Sequence, residues 1–85
     1  MRKRIIGKYS HMCVYSYMKN KRVVEANIVH HIVELNEDYS QRLVEDNLIL
    51  VRDLAHREIH KKYKTNKKLA QLELRRMKEA FKSHF

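Results

Sequence analysis

Two short apolar runs, Ile28-Val29-His30-His31-Ile32-Val33 and Leu48-Ile49-Leu50-Val51, decide the fold of this chain. The first run is rich in β-branched residues and predicts a strand within residues 23–35, and the second is short enough for another strand. The polar stretch from residue 36 to 46 predicts a loop between them. Asp53 follows the second run and can cap a helix, because its carboxylate accepts the free amides of the first turn. The sequence therefore predicts strand, loop, strand and helix, in that order.

These elements form a predicted core over residues 23–64. The segments before and after that core are basic. Residues 1–22 are expected to form a basic N-terminal segment, in which 11–20 fit a helix and irregular structure equally well. Asn66 can cap a last helix over residues 65–85, because apolar residues recur there at helical spacing: Leu69, Leu72, Met77, Phe81 and Phe85. With no proline, one glycine and no linker-like tract, residues 1–85 are expected to form a single domain.

The charge balance indicates a polyanionic partner. The chain has 19 Lys and Arg against 10 Asp and Glu, a formal net charge of +9. Such a balance favours nucleic acid ahead of a membrane, although a basic protein without such a partner remains an alternative. The single cysteine, Cys13, excludes an internal disulfide and a zinc site built from cysteines. No apolar stretch approaches the ~20 residues that cross a bilayer, so we expect a cytoplasmic protein with no membrane association.

The predicted strands and helix carry four histidines. His30 and His31 lie within the first apolar run, Asn47 directly precedes the second, and His56 and His60 are four apart on the predicted helix. Residues four apart share one helix face, so these histidines can converge on one metal ion. Each residue alone also fits a structural role: His30 as a strand residue facing away from His31, His60 as a packing residue, and Asn47 as a turn residue.

In three places the chain resembles the HNH endonucleases, and more closely the small HNH proteins of bacteriophages and prophages. These places are Val29 to Val33, Asp46-Asn47-Leu48 and Ala55 to His60, and the resemblance covers roughly residues 13–60. It implies an α+β fold, the ββα-metal finger. In that fold a two-stranded antiparallel ribbon and a loop are followed by a helix that closes over the metal. Here the finger would carry an additional C-terminal helix.

The resemblance also implies a role for each of these polar residues. His30 matches the first metal ligand of the family, and His31 matches its general base. Asn47 matches the asparagine that braces the loop carrying the base. His56 matches the ligand on the helix, and His60 a further helix ligand. Imidazoles accept manganese, cobalt, nickel and zinc more readily than magnesium, so the expected cofactor is a divalent ion, Mn, Ni, Co, Zn or Mg.

The chain departs from the family in its cysteines. Many phage members hold the finger together with a structural zinc bound by two Cys-x-x-Cys pairs. The matching positions here are Cys13 and Ser16, then Arg52 and Ala55, so a tetrahedral all-cysteine zinc site cannot form. We expect that zinc to be absent and apolar packing by the C-terminal helix to replace it.

These features together lead to an expected function. The resemblance implies a metal-dependent DNA endonuclease of low sequence specificity, from a phage or prophage and acting in the cytoplasm of the bacterial host. It also makes the packaging terminase, or another packaging protein, a candidate partner. Two alternatives stay open. One is a catalytically degenerate HNH finger that binds DNA or inhibits another protein, and the other is an all-helical interaction module.

Overall fold

A two-stranded ribbon lies among three helices. The computed structural model describes residues 2–84, with side chains for residues 2–82, and Met1 and Phe85 lie outside the described residues. In chain order the elements are α1 (Arg2–Lys8), α2 (Val14–Asn20), β1 (Ile28–His31), β2 (Leu48–Val51) and α3 (Asp53–His84). The loop between the strands contains two short 3₁₀ turns, Tyr39–Gln41 and Glu45–Asn47. No helix in the described part of the chain has the length and apolar character needed to span a membrane.

The strands pair antiparallel, with Ile28 opposite Val51 and His31 opposite Leu48. All residues of β2 are buried, which explains why it is an uninterrupted apolar run. β1 is shorter than the range in which it was predicted, because beyond Ile32 the backbone pairs with the side chain of Asn47 and not with a strand. The predicted α+β fold is confirmed, and the ribbon excludes the all-helical alternative.

The N-terminal segment is more ordered than its basic composition suggested. Ile5 of α1 and Val14 and Tyr15 of α2 are buried in the same core as β2. Tyr9, which follows α1, packs edge-on against Phe81 of α3, with 5.5 Å between ring centroids. The ambiguous stretch 11–20 thus contains a helix, because its apolar residues have a core to face.

The third helix joins the two helices predicted on either side of Asn66. Asn66 has a non-helical backbone (φ −155°, ψ 90°), and its side-chain oxygen accepts a hydrogen bond from the Leu69 amide at 3.2 Å. The predicted cap at Asn66 is therefore confirmed, although only this one residue interrupts the helix. The predicted apolar stripe was wrong at Leu69 and Leu72, which are 59% and 45% exposed. The prediction is confirmed at Phe81, which is buried in the core, and at Met77, which packs against it. The rest of the packed face follows Ala70 and Leu74.

The C-terminal part of α3 also holds the loop between the strands through polar contacts. Lys67 forms an ion pair with Glu34 at 2.9 Å, and buried Lys78 donates to the carbonyl of Glu45 at 2.9 Å. Burial, together with nearby Lys82 and other cations, lowers the pKa of Lys78 to about 8. These contacts fix both ends of the loop to α3.

The four residues that the resemblance matched to a zinc site, Cys13, Ser16, Arg52 and Ala55, lie at the junction of α2 and α3. Cys13 is fully buried, and its sulfur accepts hydrogen bonds from the amides of Ser16 at 3.4 Å and Arg52 at 3.3 Å. The first bond caps α2, and the second ties α2 to the start of α3. Ser16 and Ala55 are each 4% exposed, so these positions are part of the packed interior.

A pair of leucine substitutions in α3 tests whether its C-terminal part is integral to the fold. Leu74 is 2% exposed and Leu69 is 59% exposed on the same helical segment. Leu74→Ala should lower the free energy of unfolding by about 2–5 kcal/mol, because it leaves a cavity in the core. Leu69→Ala should change it by about 0.5 kcal/mol or less. Urea denaturation followed by circular dichroism measures both, and equal losses would contradict this packing.

Candidate metal centre

Three histidines from two elements meet at one end of the ribbon. His30 comes from β1, and His56 and His60 come from successive turns of α3. A ligand nitrogen from each lies within 4.8 Å of the other two. The ring centroids are 5.2 Å apart for His30 and His56 and 4.4 Å apart for His56 and His60. The structure thus brings together all three residues predicted as ligands. The strand residue, His30, precedes the first helix residue, His56, by 26 positions in the chain.

The spacing of these nitrogens fits a bound transition-metal ion. The Nε2 atoms of His56 and His60 are 3.0 Å apart. Ligands at about 2.1 Å from one ion and at right angles to each other are about 3.0 Å apart. Two imidazole nitrogens this close need either a shared proton or a shared cation between them. Three imidazoles as donors suit Mn, Co, Ni or Zn better than Mg.

The environment keeps the buried ring uncharged. His30 is 3% exposed, and burial, aided by the neighbouring histidines, lowers the pKa of His30 to about 3. Burial and nearby His60 also lower the pKa of His56. An uncharged imidazole has a free lone pair, which is the form that binds a metal ion.

The hydroxyl group of Tyr63 contacts the ring of His30. The Nε2 atom of His30 lies 3.1 Å from the Tyr63 hydroxyl, which donates to the carbonyl of Ile32 at 2.6 Å. Tyr63 is buried, and that burial, with a smaller contribution from Glu34 and Glu37, raises the pKa of Tyr63 well above its usual value. The phenol therefore keeps its proton at neutral pH. Sequence reasoning did not single out Tyr63, although its position three residues after His60 places it on the helix face that carries the two histidines.

The side chain of His31 lies in the same cleft as the three histidines. Its Nε2 atom is 3.1 Å from the carbonyl oxygen of Arg42. A carbonyl only accepts, so Nε2 carries the proton and Nδ1 is left with a free lone pair. The cleft has a volume of about 380 Å³, and its walls come from both strand and helix: Val29, His30, His31, Glu34, Leu35, Asn36, His56 and His60.

Asn47 directly precedes β2 and pairs with the end of β1, the strand that carries His30 and His31. It is 1% exposed, and its amide group bonds both backbone groups of Val33: Oδ1 accepts from the nitrogen at 2.8 Å, and Nδ2 donates to the oxygen at 3.1 Å. Nδ2 also lies 3.3 Å from the carbonyl of Gln41 in the loop. The side chain of Asn47 thus continues the backbone pairing of the ribbon as far as Val33. It also connects the loop, at Gln41, to the end of the ribbon.

A second depression adjoins the cleft along β1. It has a volume of about 430 Å³, shares Val29 and His31 with the cleft, and has Arg2 and Arg42 in its walls. The Arg42 side chain stacks on Tyr39, 4.2 Å from the ring centroid, which holds the guanidinium at the surface. The surface beside His31 therefore carries fixed positive charge. The sequence alone showed that the chain is basic but not that two arginines flank this histidine.

Comparison with solved structures finds a phage protein with a similar fold. The HNH endonuclease of the deep-sea thermophilic bacteriophage GVE2, crystallised with a manganese ion, matches with a TM-score of 0.68 and 31% sequence identity. The match covers 75% of this chain and 68% of that one. A scan against protein-family models and a search of curated proteins each found no match. On the fold, the shared sequence and the extent of the match, the chain belongs to the HNH endonuclease family.

Proposed function

We propose that this protein is a metal-dependent endonuclease that hydrolyses phosphodiester bonds of DNA with low sequence specificity. Its similarity to an HNH endonuclease supports a nuclease-type function. The observation that carries the proposal is the cleft itself. It combines three imidazoles whose ligand nitrogens lie within 4.8 Å of one another with a fourth histidine, His31, outside that group.

In this proposal His30, His56 and His60 hold the metal ion and His31 acts as the general base. When bound, the ion supplies Lewis acidity to the phosphoryl group and stabilises the leaving 3′-oxygen. His31 accepts a proton from a water molecule at Nδ1, the nitrogen not engaged by the Arg42 carbonyl. The water oxygen bonds to phosphorus as the bond to the 3′-oxygen breaks. The 3′-oxygen then takes a proton from solvent, and the proton on His31 returns to solvent, which leaves a 5′-phosphate and a 3′-hydroxyl.

Asn47 acts in this scheme as a positioning residue. Its two bonds to Val33 hold the chain two residues after His31, and its contact with Gln41 holds the loop at the residue before Arg42. The Arg42 carbonyl is the group that His31 bonds. Asn47 therefore supports the general base from both sides without touching substrate.

The charge of the chain supports DNA as the substrate. The formal net charge is +9, and Arg2 and Arg42 stand in the depression that continues from the cleft past His31. Phosphates flanking the cleaved bond would lie along these arginines. Contacts of this kind read the backbone and not the bases, so binding should be weakly sequence-specific and salt-sensitive.

The source of the similar structure supports a role in phage or prophage DNA processing inside the bacterial host. A packaging protein such as terminase stays a predicted partner. The degenerate, DNA-binding alternative is the competing proposal, because the zinc cysteines of the family are replaced at Ser16, Arg52 and Ala55. A cleavage assay separates the two.

The assay compares two histidine-to-asparagine variants on supercoiled plasmid. With Mn²⁺ present, His31→Asn should slow nicking by about 10²–10⁴-fold, because a positioned general base contributes that much. His11→Asn is the matched control and should nick at the wild-type rate. His11 is exposed and has a left-handed backbone (φ 61°), which asparagine tolerates. The metal affinity of His31→Asn should remain that of wild type, since its ring is not a proposed ligand.

Two outcomes would contradict this assignment of the cleft. Wild-type protein that binds DNA but does not nick it with Mn²⁺, Ni²⁺, Co²⁺, Zn²⁺ or Mg²⁺ would favour the degenerate alternative. Nicking by His31→Asn at the wild-type rate would remove His31 as the base.

The burial of His30 leads to a separate prediction about how the free energy of unfolding depends on pH. A chelator is present in this measurement, so that the protein is free of metal. The pKa of His30 is about 3 in the fold, against about 6.5 in the unfolded chain. Between these values the unfolded state binds a proton that the folded state does not. The free energy of unfolding should therefore fall as pH decreases through this window, by up to about 1.4 kcal/mol per pH unit from this group.

The measurement compares wild type with His30→Asn by urea denaturation from pH 7 to pH 4. His30→Asn should lose less stability on acidification than wild type, and the control His11→Asn should behave as wild type. Parallel pH profiles for wild type and His30→Asn would show that His30 titrates normally in the folded protein.

A further inference from the structure

We propose that Tyr63 is a positioning residue of the metal centre, which fixes the imidazole of His30 so that its Nδ1 atom faces the cation. This inference rests on the proposed function, because it assigns His30 as a ligand. It adds a residue that the resemblance to HNH endonucleases did not supply, and it specifies which nitrogen of His30 binds.

The contacts that carry the inference are all buried. The Tyr63 hydroxyl lies 3.1 Å from Nε2 of His30 and 2.6 Å from the carbonyl oxygen of Ile32. His30 and Tyr63 are 3% and 6% exposed, so water has little access to either group. Their rings meet edge to face, with 5.4 Å between centroids. A ring held in this way has little freedom to rotate.

Counting protons along this chain of contacts determines the tautomer of His30. A phenol has one proton, and the Ile32 carbonyl can only accept, so that proton points to Ile32. The remaining role of the hydroxyl oxygen is to accept, and Nε2 of His30 must then donate to it. A neutral imidazole carries one N–H, so Nδ1 has the free lone pair. Nδ1 is therefore the nitrogen available to a metal ion.

Tyr63 belongs to the same helix face as the two ligands of α3. His56, His60 and Tyr63 stand four and three residues apart, which places them in line along one side of the helix. Their ring centroids are 4.4 Å apart for the two histidines and 6.2 Å apart for His60 and Tyr63. One helix face thus supplies two ligands and the group that orients the third, which comes from β1.

The C-terminal part of α3 supports this arrangement from behind. Gln71 donates from Nε2 to the same Ile32 carbonyl at 3.0 Å and lies 3.1 Å from a carboxylate oxygen of Glu37. The carbonyl that receives the Tyr63 proton is therefore held by a second donor. It also keeps that donor when the Tyr63 hydroxyl is removed, so Tyr63→Phe leaves Ile32 with a hydrogen-bond partner.

The experiment compares two tyrosine-to-phenylalanine variants in the metal-free and Ni²⁺-bound states. Tyr63→Phe removes the hydroxyl that contacts His30. Tyr9→Phe is the matched control, because the Tyr9 hydroxyl is also buried but has no hydrogen-bond partner among the described residues. Long-range ¹H–¹⁵N spectra of the metal-free proteins report the tautomer of His30, and calorimetric titration with Ni²⁺ reports affinity.

The expected result is a difference between the two variants in both measurements. Wild type and Tyr9→Phe should show the Nε2–H tautomer of His30 and equal Ni²⁺ affinity. Tyr63→Phe should show a mixed or Nδ1–H tautomer and bind Ni²⁺ about 10–100-fold more weakly, the usual loss when the partner of a ligating histidine is removed.

Each contrary result has a separate meaning. An Nδ1–H tautomer in wild type, or unchanged tautomer and affinity in Tyr63→Phe, would overturn the role of Tyr63. Wild type that shows the Nε2–H tautomer but binds no Ni²⁺ would contradict the proposed metal centre while leaving the contact of Tyr63 with His30 in place. Since the tautomer is read from wild type, the test does not depend on the folding of a variant.

Discussion

The burial of one imidazole between a strand and a helix is the constraint on which the rest of this structure depends. His30 is 3% exposed and faces His56, His60 and Tyr63 of α3. A buried polar ring is costly unless its nitrogens have partners. Tyr63 is the hydrogen-bond partner of Nε2 of His30. The proposed cation would be the partner of the other nitrogen, Nδ1. The contact between ribbon and helix is therefore also the proposed catalytic centre, so stability and activity share the same residues.

The small finger is held together here by a long helix. The sulfur of Cys13 accepts hydrogen bonds from the backbone amides of Ser16 and Arg52 and so connects two neighbouring segments. Further support comes from α3 after Asn66, which packs apolar side chains on the core and bonds the loop between the strands through Lys78. A helix docked in this way limits the motion of the loop that ends in Asn47, and Asn47 in turn fixes the strand end beside the cleft.

Local signals predicted most of the fold, and the resemblance pointed to the three histidines that the structure brings together. Strand β2, the start of α3 and the break at Asn66 follow from runs and caps a few residues long. The histidine set followed from motif order. The role of Tyr63 could not be read in the same way, because its partner His30 lies 33 residues earlier and the bond depends on how the ribbon docks. Leu69 was misplaced for a similar reason: spacing predicts an apolar face, but tertiary packing selects which face is covered.

Anomalous diffraction from crystals grown with Mn²⁺ tests the central claim most directly, because it locates the ion without reference to activity. We expect one strong anomalous peak in the cleft, about 2.0–2.3 Å from a nitrogen of each of His30, His56 and His60, with Nδ1 as the contributing atom of His30. A peak that lacks His30 among its neighbours, or a cleft without a peak beside an ordered ion elsewhere on the protein, would contradict it.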